Sequence, residues 1–395
     1  MADPQHLAQL QAGPSVWNQW RQDHPRIPID LSHASLRRQD LSSIDLSEAN
    51  LAHADLRGAI LRQANLRHAN LCYANGRDAQ LQQASLEGAI AWESDFRGAS
   101  LRDGSLVNAD FRDTNFSEAD LIATDASHAY LSGVNLEGAY AIGTLFRGAN
   151  LRWANLQEAN LKQANLTNAY LRWGNCYGTN FYQSILAYAD VSEGNFAEAN
   201  LAHSNLQGIQ ALGTNFHRAK LTAACIEHWQ INSDTCFDQG VCDYIFLQEG
   251  DRFPQRGQLS GLAFENLMQR TLATVKLSFS HGLNWYAFAQ AIRRTDTQNP
   301  EAQISIQDIS HTIYQGVSVL LRTAPQADHD KVYHDFMISY GRALSLSGAV
   351  QNRPRSSKPY DKPAQFLGHV LAVSKHLSCS HIQHGTPRRS PPDLP

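Results

Sequence analysis

The most regular feature of this sequence is a five-residue period of apolar, mostly large side chains that runs from Leu31 to Cys225. A small residue usually stands two positions before each of them, and Asn or Asp often stands one position before, as in Ala49-Asn50-Leu51. The period is kept in one phase by Leu41, Leu46, Leu51, Leu56, Leu61, Leu66 and Leu71. On an α-helix a step of five residues rotates about 500°, which spreads the leucines over every face. On a β-strand an odd step sends alternate leucines to opposite faces, so the period predicts neither element.

A period kept over this length predicts an extended stack of similar units. In the simplest arrangement five residues form one flat side of a polygonal coil, so that every leucine and every alanine points inward. Alanine suits the small position because the interior of a narrow coil is close-packed. The Asn and Asp side chains can hydrogen-bond neighbouring backbone groups within a turn.

The sequence resembles the pentapeptide-repeat family, whose pattern is A-(D/N)-L-x-x. The segments Ala49-Asn50-Leu51, Ala64-Asn65-Leu66 and Ala164-Asn165-Leu166 match this pattern fully. The resemblance implies a mainly β fold, a right-handed quadrilateral β-helix in which four fives, about 20 residues, complete one coil. Residues 31–225 would then make roughly nine to ten coils, a rod of roughly 45 Å at about 4.8 Å per coil.

Residues 1–30 do not follow the repeat, and we interpret them as an N-terminal helical cap. Pro14 can open a short helix with Val16, Trp17 and Trp20 on one side, which would cover the apolar end of the first coil. The alternative is a helix that binds a partner. The segment W-N-Q-W-R, from Trp17, resembles the start of many cyanobacterial members of the family, which implies a cyanobacterial source.

The repeat body is predicted to span residues 31–245. Its large position changes from Leu to Phe at several sites, and small residues take the same position at others, including Gly76 and Ala91. We expect a coil to balance Phe on one side with a small residue on another, which keeps the core volume nearly constant. Trp229 breaks the small position, so we expect the coiling to fray there.

A different pattern follows in residues 246–350, where we predict a small α+β domain of order α-β-β-β-α. The predicted helices cover residues 259–281 and 329–346, and the predicted strands cover 285–292, 303–309 and 314–321. Residues 351–395 are rich in Pro, Ser and basic residues and are predicted to be a flexible tail with one short helix near residues 366–376.

Composition narrows the functional class. The 395 residues have a net charge of −4, which argues against nucleic-acid binding by bulk attraction. No apolar run reaches the length of a membrane span, and the polar start does not resemble a secretory signal, so a cytoplasmic protein is the default. The six cysteines are thinly spread, and Cys176 falls on the leucine position, where a buried reduced thiol is expected.

Two groups of residues contain metal-binding elements. The first comprises Cys225, His228, Cys236 and Cys242, and the second comprises His376, Cys379, His381 and His384. The spacing of the first is looser than is usual for structural zinc, and core burial explains its members equally well. The second lies in the predicted tail, where such clusters bind metals weakly. We therefore assign neither a metal nor a cofactor to the chain.

If a coil holds 20 residues, side chains 20 apart stack into ladders along the rod. One ladder would contain Arg37, Arg57, Arg77 and Arg97. These like charges need either acidic neighbours on a solvated face or a polyanionic partner. A second ladder would place Trp153 above Trp173 on the outward fifth position, with Tyr177, Tyr182 and Tyr188 near in sequence but on other sides. Stacked exposed tryptophans predict either a partner site or packing against the C-terminal domain.

Three functions remain open. The first is a non-catalytic scaffold that binds a protein partner through its flat faces, and that partner can be a second copy of the chain, as in a homodimer. The second is the DNA mimicry by which some pentapeptide-repeat proteins protect gyrase. It requires a strongly acidic rod, whereas residues 31–225 contain 15 basic and 19 acidic residues. The third is a ligand-binding or enzymatic role for residues 246–350, where no nucleophile–base set or phosphate loop is found.

Overall fold

The computed structural model describes residues 1–232, 234–248, 250–259, 263–264, 267–268, 274–279, 283–312, 316–324 and 327–350. The chain forms two compact units, Met1–Leu272 and Ala273–Pro395. The predicted boundary after residue 245 falls inside the first unit, because Phe246 still pairs with Cys225 of the preceding coil. The predicted tail of residues 351–395, with its short helix, lies outside the described residues.

The chain begins with two helices, α1 (Pro4–Gln11) and α2 (Pro14–Asp23). The sequence analysis predicted α2 but missed α1, although Asp3 is a good N-cap and its carboxylate accepts a hydrogen bond from the backbone N–H of Gln5 at 2.7 Å. Trp17 is fully buried, as predicted, whereas Val16 is exposed. The prediction for Val16 was wrong, because Trp17 is the one residue of this short helix whose side chain is buried.

Helix α2 closes the first coil by hydrogen bonding to its open edge. Trp17 Nε1 donates to the carbonyl of Asp45 at 2.7 Å. The amide of Asn18 bonds twice, because Nδ2 donates to the carbonyl of Ser43 at 2.9 Å and Oδ1 accepts from the N–H of Asp45 at 2.8 Å. In later coils the N–H at this position bonds to the coil before it, as Asn65 does to Ile44 at 2.8 Å. The side chain of Asn18 therefore supplies the hydrogen bond that a preceding coil supplies elsewhere in the stack.

The repeat body is a four-sided coil. Residues 20 apart pair as parallel bridges on each side, beginning with Asp30 and Asn50, Ser35 and Asp55, Asp40 and Ile60, and Asp45 and Asn65. Four bridge ladders at steps of five residues give the 20-residue coil that the resemblance implied. Backbone groups on the sides are satisfied between coils, so the stack is one continuous hydrogen-bonded structure.

Each side ends in a tight turn with a left-handed residue. The N–H of Ala49 bonds back to the carbonyl of Leu46 at 3.1 Å, and Glu48 between them has a φ of 59°. This is the pattern of a type II turn, whose third residue must have positive φ. Asn50 takes the role predicted for Asn and Asp, because its Oδ1 accepts from the N–H of Ala52 at 3.2 Å.

The core of the coil contains the leucines and alanines of the repeat, which are almost completely buried. Where Phe96 replaces leucine, the residue one coil earlier on the same side is Gly76. A Cβ at position 76 would lie 2.3 Å from Cε1 of Phe96, so the ring occupies the space that glycine leaves. The coil of Phe96 also contains the buried Ala91 on the adjacent side, as the predicted balance within a coil requires. Volume is balanced along the ladder as well, because a large ring leans toward the neighbouring coil.

The coiling does not fray at Trp229, contrary to the prediction. Bridges continue with one extra residue inserted between Gln230 and Cys236, so that partners become 21 apart and run as far as Phe246. Trp229 stacks on Phe216 at 5.5 Å and lies 5.9 Å from the ring of Phe237. The indole supplies core volume where the repeat pattern is lost. A hairpin of β1 (Ile245–Gln248) and β2 (Asp251–Phe253) follows.

The second unit contains a three-stranded antiparallel sheet of order β3-β5-β4, with β3 Thr274–Phe279, β4 Ser305–Thr312 and β5 Gly316–Arg322. Helix α3 is Trp285–Gln298, a 3-10 turn is Pro300–Ala302, and helix α4 is His329–Val350. The strands predicted near β4 and β5 and the helix predicted at α4 are confirmed within the described residues. The core joins Phe279, Phe288, Phe336 and Tyr340.

Two predicted elements need correction. The helix predicted for residues 259–281 is helical at the described residues 263–264 and 267–268, but its last part is strand β3, which is held by pairing with β5. The strand predicted for residues 285–292 is the start of α3, whose N-cap Asn284 accepts from the N–H of Ala287 through Oδ1 at 3.0 Å. Tertiary pairing and a missed N-cap decided these segments, so the described order is β-α-β-β-α.

Candidate partner-binding faces

The predicted arginine ladder is present, and aspartates compensate it. Its members are Arg37, Arg57, Arg77 and Arg97. Asp55 accepts two hydrogen bonds from Arg57, at 2.7 and 2.6 Å, and lies 3.8 Å from Nε of Arg37. Asp95 lies 2.6 Å from Nε of Arg77 and 2.8 Å from Nη2 of Arg97. The hydrogen bonds from Arg57 lower the pKa of the Asp55 carboxyl. In this ladder two aspartates form ion pairs with four arginines.

The tryptophan ladder is also present. The rings of Trp153 and Trp173 stack with centroids 5.1 Å apart and planes 6° apart. Both residues occupy the left-handed position of the turn, with φ near 58° and 59° respectively, which directs the side chains away from the core. Their exposed fractions are 59% and 43%, which is high for indoles.

Arginines and tyrosines surround this pair, and the sequence analysis missed them. Arg172 Cζ lies 4.4 Å from the ring centroid of Trp173, and Arg152 Cζ lies 5.2 Å from that of Tyr170. Tyr130 and Tyr170 occupy the same bridge ladder two coils apart and are exposed. We define the aromatic face as Tyr130, Arg152, Trp153, Tyr170, Arg172 and Trp173. The signal was available, since Arg152 and Arg172 show the same 20-residue spacing as the tryptophans.

The three tyrosines Tyr177, Tyr182 and Tyr188, proposed as partner-binding residues, lie on the other three sides, as predicted. Tyr177 hydrogen-bonds Glu198, which raises the pKa of the phenol. Tyr182 lies 5.7 Å from Nζ of Lys162. Tyr188 is exposed and leans over Gly208, where a Cβ would meet its ring at 2.5 Å. The structure therefore does not join them to the aromatic face, because each step of five residues turns one corner of the coil.

The same turn position forms a second stack near the N-terminal end of the rod. The rings of His33 and His53 are 4.7 Å apart and nearly parallel, and His53 stacks on Tyr73 at 4.8 Å. This ladder was not predicted from the sequence, although its 20-residue spacing is the same.

The first candidate metal group is not assembled. Cys225 bridges to Asn205 and Cys236 bridges to Asn215, positions ten residues apart and hence on opposite sides of the coil. In the described part of the chain no group of three or more His, Cys, Asp or Glu could hold a metal ion. Burial raises the pKa of the Cys242 thiol to about 12 and raises that of Cys176 as well. Cys176 is buried and free, as predicted. The second group, His376 to His384, lies outside the described residues.

These observations define a β-helical repeat protein built from four-sided coils. A family model described as pentapeptide repeats matches in eight copies, over residues 29–67, 59–98, 79–117, 94–133, 127–163, 164–201 and 194–228. The matches span half of the chain, so the chain belongs to the pentapeptide repeat family. Membership implies the right-handed β-helix type of fold. No curated protein matches the chain.

Several solved structures are similar to the chain. HetL, a pentapeptide repeat protein involved in heterocyst differentiation regulation from the cyanobacterium Nostoc sp. strain PCC 7120, is 22% identical, covers 58% of this chain and 95% of its own, and gives a TM-score of 0.41. QnrB1, a plasmid-mediated fluoroquinolone resistance protein, is 18% identical over 57% of this chain and 96% of its own, with a TM-score of 0.33. Rfr23, a pentapeptide repeat protein from the cyanobacterium Cyanothece 51142, is 25% identical over 33% and 64% respectively, with a TM-score of 0.10.

Proposed function

We propose that this protein is a non-catalytic scaffold that binds a protein partner through the aromatic face of its β-helix. The observation that supports the proposal is the exposed, stacked pair Trp153 and Trp173 with its flanking guanidinium groups. Tryptophan, tyrosine and arginine are the residues that contribute most to binding in protein interfaces. A patch that gathers all three on one side of the rod suits a partner surface.

The rest of the rod supports a structural role for the coils. Inward positions carry apolar side chains, or Ser and Thr whose hydroxyls donate to backbone carbonyls, as Thr124 does to Leu101 at 2.9 Å. In the described coils the interior therefore brings no set of titratable groups together. Backbone pairing on four sides makes the rod a rigid base that holds the face in one geometry. The proposal therefore assigns no catalytic residue and no cofactor to the chain.

The test is affinity capture with full-length protein carrying Trp153→Ala and Trp173→Ala. A matched control is Gln163→Ala with Gln183→Ala, a pair at the same turn position on the opposite side, whose amides bond at 3.1 Å. We expect the tryptophan variant to lose a partner that the control and the parent protein retain, and the purified partner should reproduce the difference in calorimetry. Equal retention by all three proteins would contradict the proposal.

DNA mimicry is less well supported than partner binding. Some of the outward acidic groups pair with arginines, as Asp110 does with Arg112 at 2.6 Å and Asp120 with Arg102 at 2.9 Å. With 15 basic against 19 acidic residues over 31–225, the rod presents a weak polyanionic field. A gyrase supercoiling assay would show inhibition or drug protection if the mimic were correct.

A cytoplasmic location is part of the proposal. It is supported by the cysteines of the described residues, Cys72, Cys176, Cys225, Cys236 and Cys242, which are all free. Within the same residues no helix has the length and hydropathy required to cross a bilayer. Sedimentation of the purified chain would establish whether the partner can be a second copy, as in a homodimer.

A further inference from the structure

The aromatic face contains one complete example of how it can hold a guanidinium group. Arg172 lies over the ring of Trp173, with Cζ 4.4 Å from the centroid. The carboxylate of Asp190 lies 4.0 Å from Nε of the same arginine, an ion-pair contact without a hydrogen bond. An indole plane and a carboxylate from a neighbouring coil therefore hold one flat cation between them, which combines cation–π attraction with an ion pair.

Trp153 has the indole and a carboxylate but no cation. The guanidinium group of the adjacent Arg152 lies over Tyr170 instead, with Cζ 5.2 Å from the ring centroid. Among the contacts of the described residues no cation lies over the Trp153 ring. Trp173 covers one flat side of this ring, and the other side faces the coil of Gly133, which has no side chain.

The carboxylate is supplied by Asp113, which precedes Gly133 by one coil in the same ladder. A Cβ at position 133 would lie 2.0 Å from Oδ1 of Asp113, so the carboxylate occupies the space of the missing side chain. This places it about one coil spacing, roughly 4.8 Å, from the level of Trp153. Glycine is needed at position 133 because any side chain would displace the carboxylate, whereas its φ of 69° alone does not demand it, since Trp153 has a φ of 58° at the same turn position.

Asp113 is available for an external cation. Its side chain is exposed and, within the described residues, forms no hydrogen bond or ion pair, although its charge contributes to the raised pKa of Arg112. The adjacent Arg112 is held by Asp110, with Nε donating to Oδ1 at 2.8 Å and Nη2 donating to Oδ2 at 2.6 Å.

We propose that Asp113, Gly133 and Trp153 form a recognition site for an arginine side chain of the protein partner. The guanidinium stacks on the open side of Trp153 and forms an ion pair with Asp113, as Arg172 does between Trp173 and Asp190. Lysine fits less well, because its ammonium group cannot lie flat against an indole while bonding a carboxylate with two N–H groups. The inference rests on the proposed function, since it names the chemistry by which the aromatic face selects its partner.

The test is a titration of the full-length chain, labelled with ¹⁵N in its tryptophans, with N-acetyl-arginine amide and separately with N-acetyl-lysine amide. The Trp153 indole signal is assigned from the spectrum of Trp153→Phe. We expect a saturable shift of this signal at about millimolar arginine amide, and at least about threefold weaker binding of the lysine amide.

Two variants separate the site from general electrostatics. Asp113→Asn should weaken arginine binding about three- to fivefold and remove the preference over lysine. Asp103→Asn is the matched control, an exposed acid at the same turn position with φ 57°, and should leave both titrations unchanged. Asparagine tolerates positive φ, so both variants should fold.

A shift that does not saturate, equal affinity for the two amides, or no effect of Asp113→Asn would overturn the site. These outcomes are distinct from failure of the proposed function, which is read from partner capture by the tryptophan variants. Loss of capture without arginine selectivity rejects only the site. Arginine selectivity with capture that is independent of both tryptophans supports the site and rejects the scaffold face.

Discussion

The pairing of Gly76 with Phe96 leads to an unusual prediction about stability. Replacing Gly76 with leucine restores the repeat pattern, since Leu56 stands one coil earlier, and yet it should destabilise the protein. A Cβ at position 76 would lie 2.3 Å from Cε1 and 2.4 Å from Cδ1 of the fully buried Phe96 ring. Inserting a whole side chain into a filled core costs about 1–3 kcal/mol or more of the free energy of unfolding.

The reverse change isolates the same contact. Phe96→Leu removes part of a buried ring and leaves a void above Gly76, which should cost about 1–2 kcal/mol. In the double variant the new leucine fills that void, so the two losses should cancel in large part. The coupling between the substitutions should therefore be at least about 2 kcal/mol in favour of folding.

The assay is urea unfolding of the full chain followed by circular dichroism, for the parent, both single variants and the double variant. A control combines Gly76→Leu with Phe146→Leu, a buried ring on another side several coils away, where the losses should add. If the losses of Gly76→Leu and Phe96→Leu add in the same way, compensation along the ladder is wrong and the core tolerates each side chain independently.

Three further results are expected. Gly88→Ala should destabilise the protein more than Gly143→Ala, as measured by thermal unfolding. Both glycines have positive φ, so both variants lose about 1 kcal/mol to backbone strain. Only at position 88 would the new Cβ also meet a histidine ring, at 2.4 Å. Asn18→Ala should cost about 1–2 kcal/mol and speed hydrogen exchange in the first coil, since it orphans a backbone N–H, whereas exposed Gln19→Ala should not. Cys242 should resist alkylation at pH 8, because its thiol pKa is raised to about 12 and the thiolate is scarce below that pKa. It should react only when the first unit is unfolded. Rapid reaction of the folded protein would contradict its burial.

The repeat could be derived from sequence because its information is local. Every fifth residue must be buried in the same way, so Leu51 and Ala54 can be assigned to the inward face without knowledge of any distant contact. The ladders followed directly from a 20-residue coil, and this arithmetic correctly placed Trp153 on Trp173. The same arithmetic could also have found Arg152 and Arg172.

The C-terminal unit could not be derived in this way. Residues 274–279 alternate Val275, Leu277 and Phe279 with polar residues, which is a strand pattern, and they pair with β5. The predicted helix followed only Val275 and Phe279, which are four residues apart. Residues 285–292 contain aromatic and β-branched side chains, but the cap at Asn284 begins a helix there. Local preference is weak in such segments, so the neighbours across the sheet decide the outcome.

Sequence alone determined the coil, its period and the ladder to which each side chain belongs, because a repeating backbone converts position in the chain into position in space. Only the tertiary structure decided which groups on those ladders engage one another. Asp55 and Asp95 each form ion pairs with two arginines, Phe96 occupies the space above Gly76, and the carboxylate of Asp113 fills the place of a missing side chain. These choices depend on side-chain rotamers and on neighbours one coil away, which the repeat pattern does not encode.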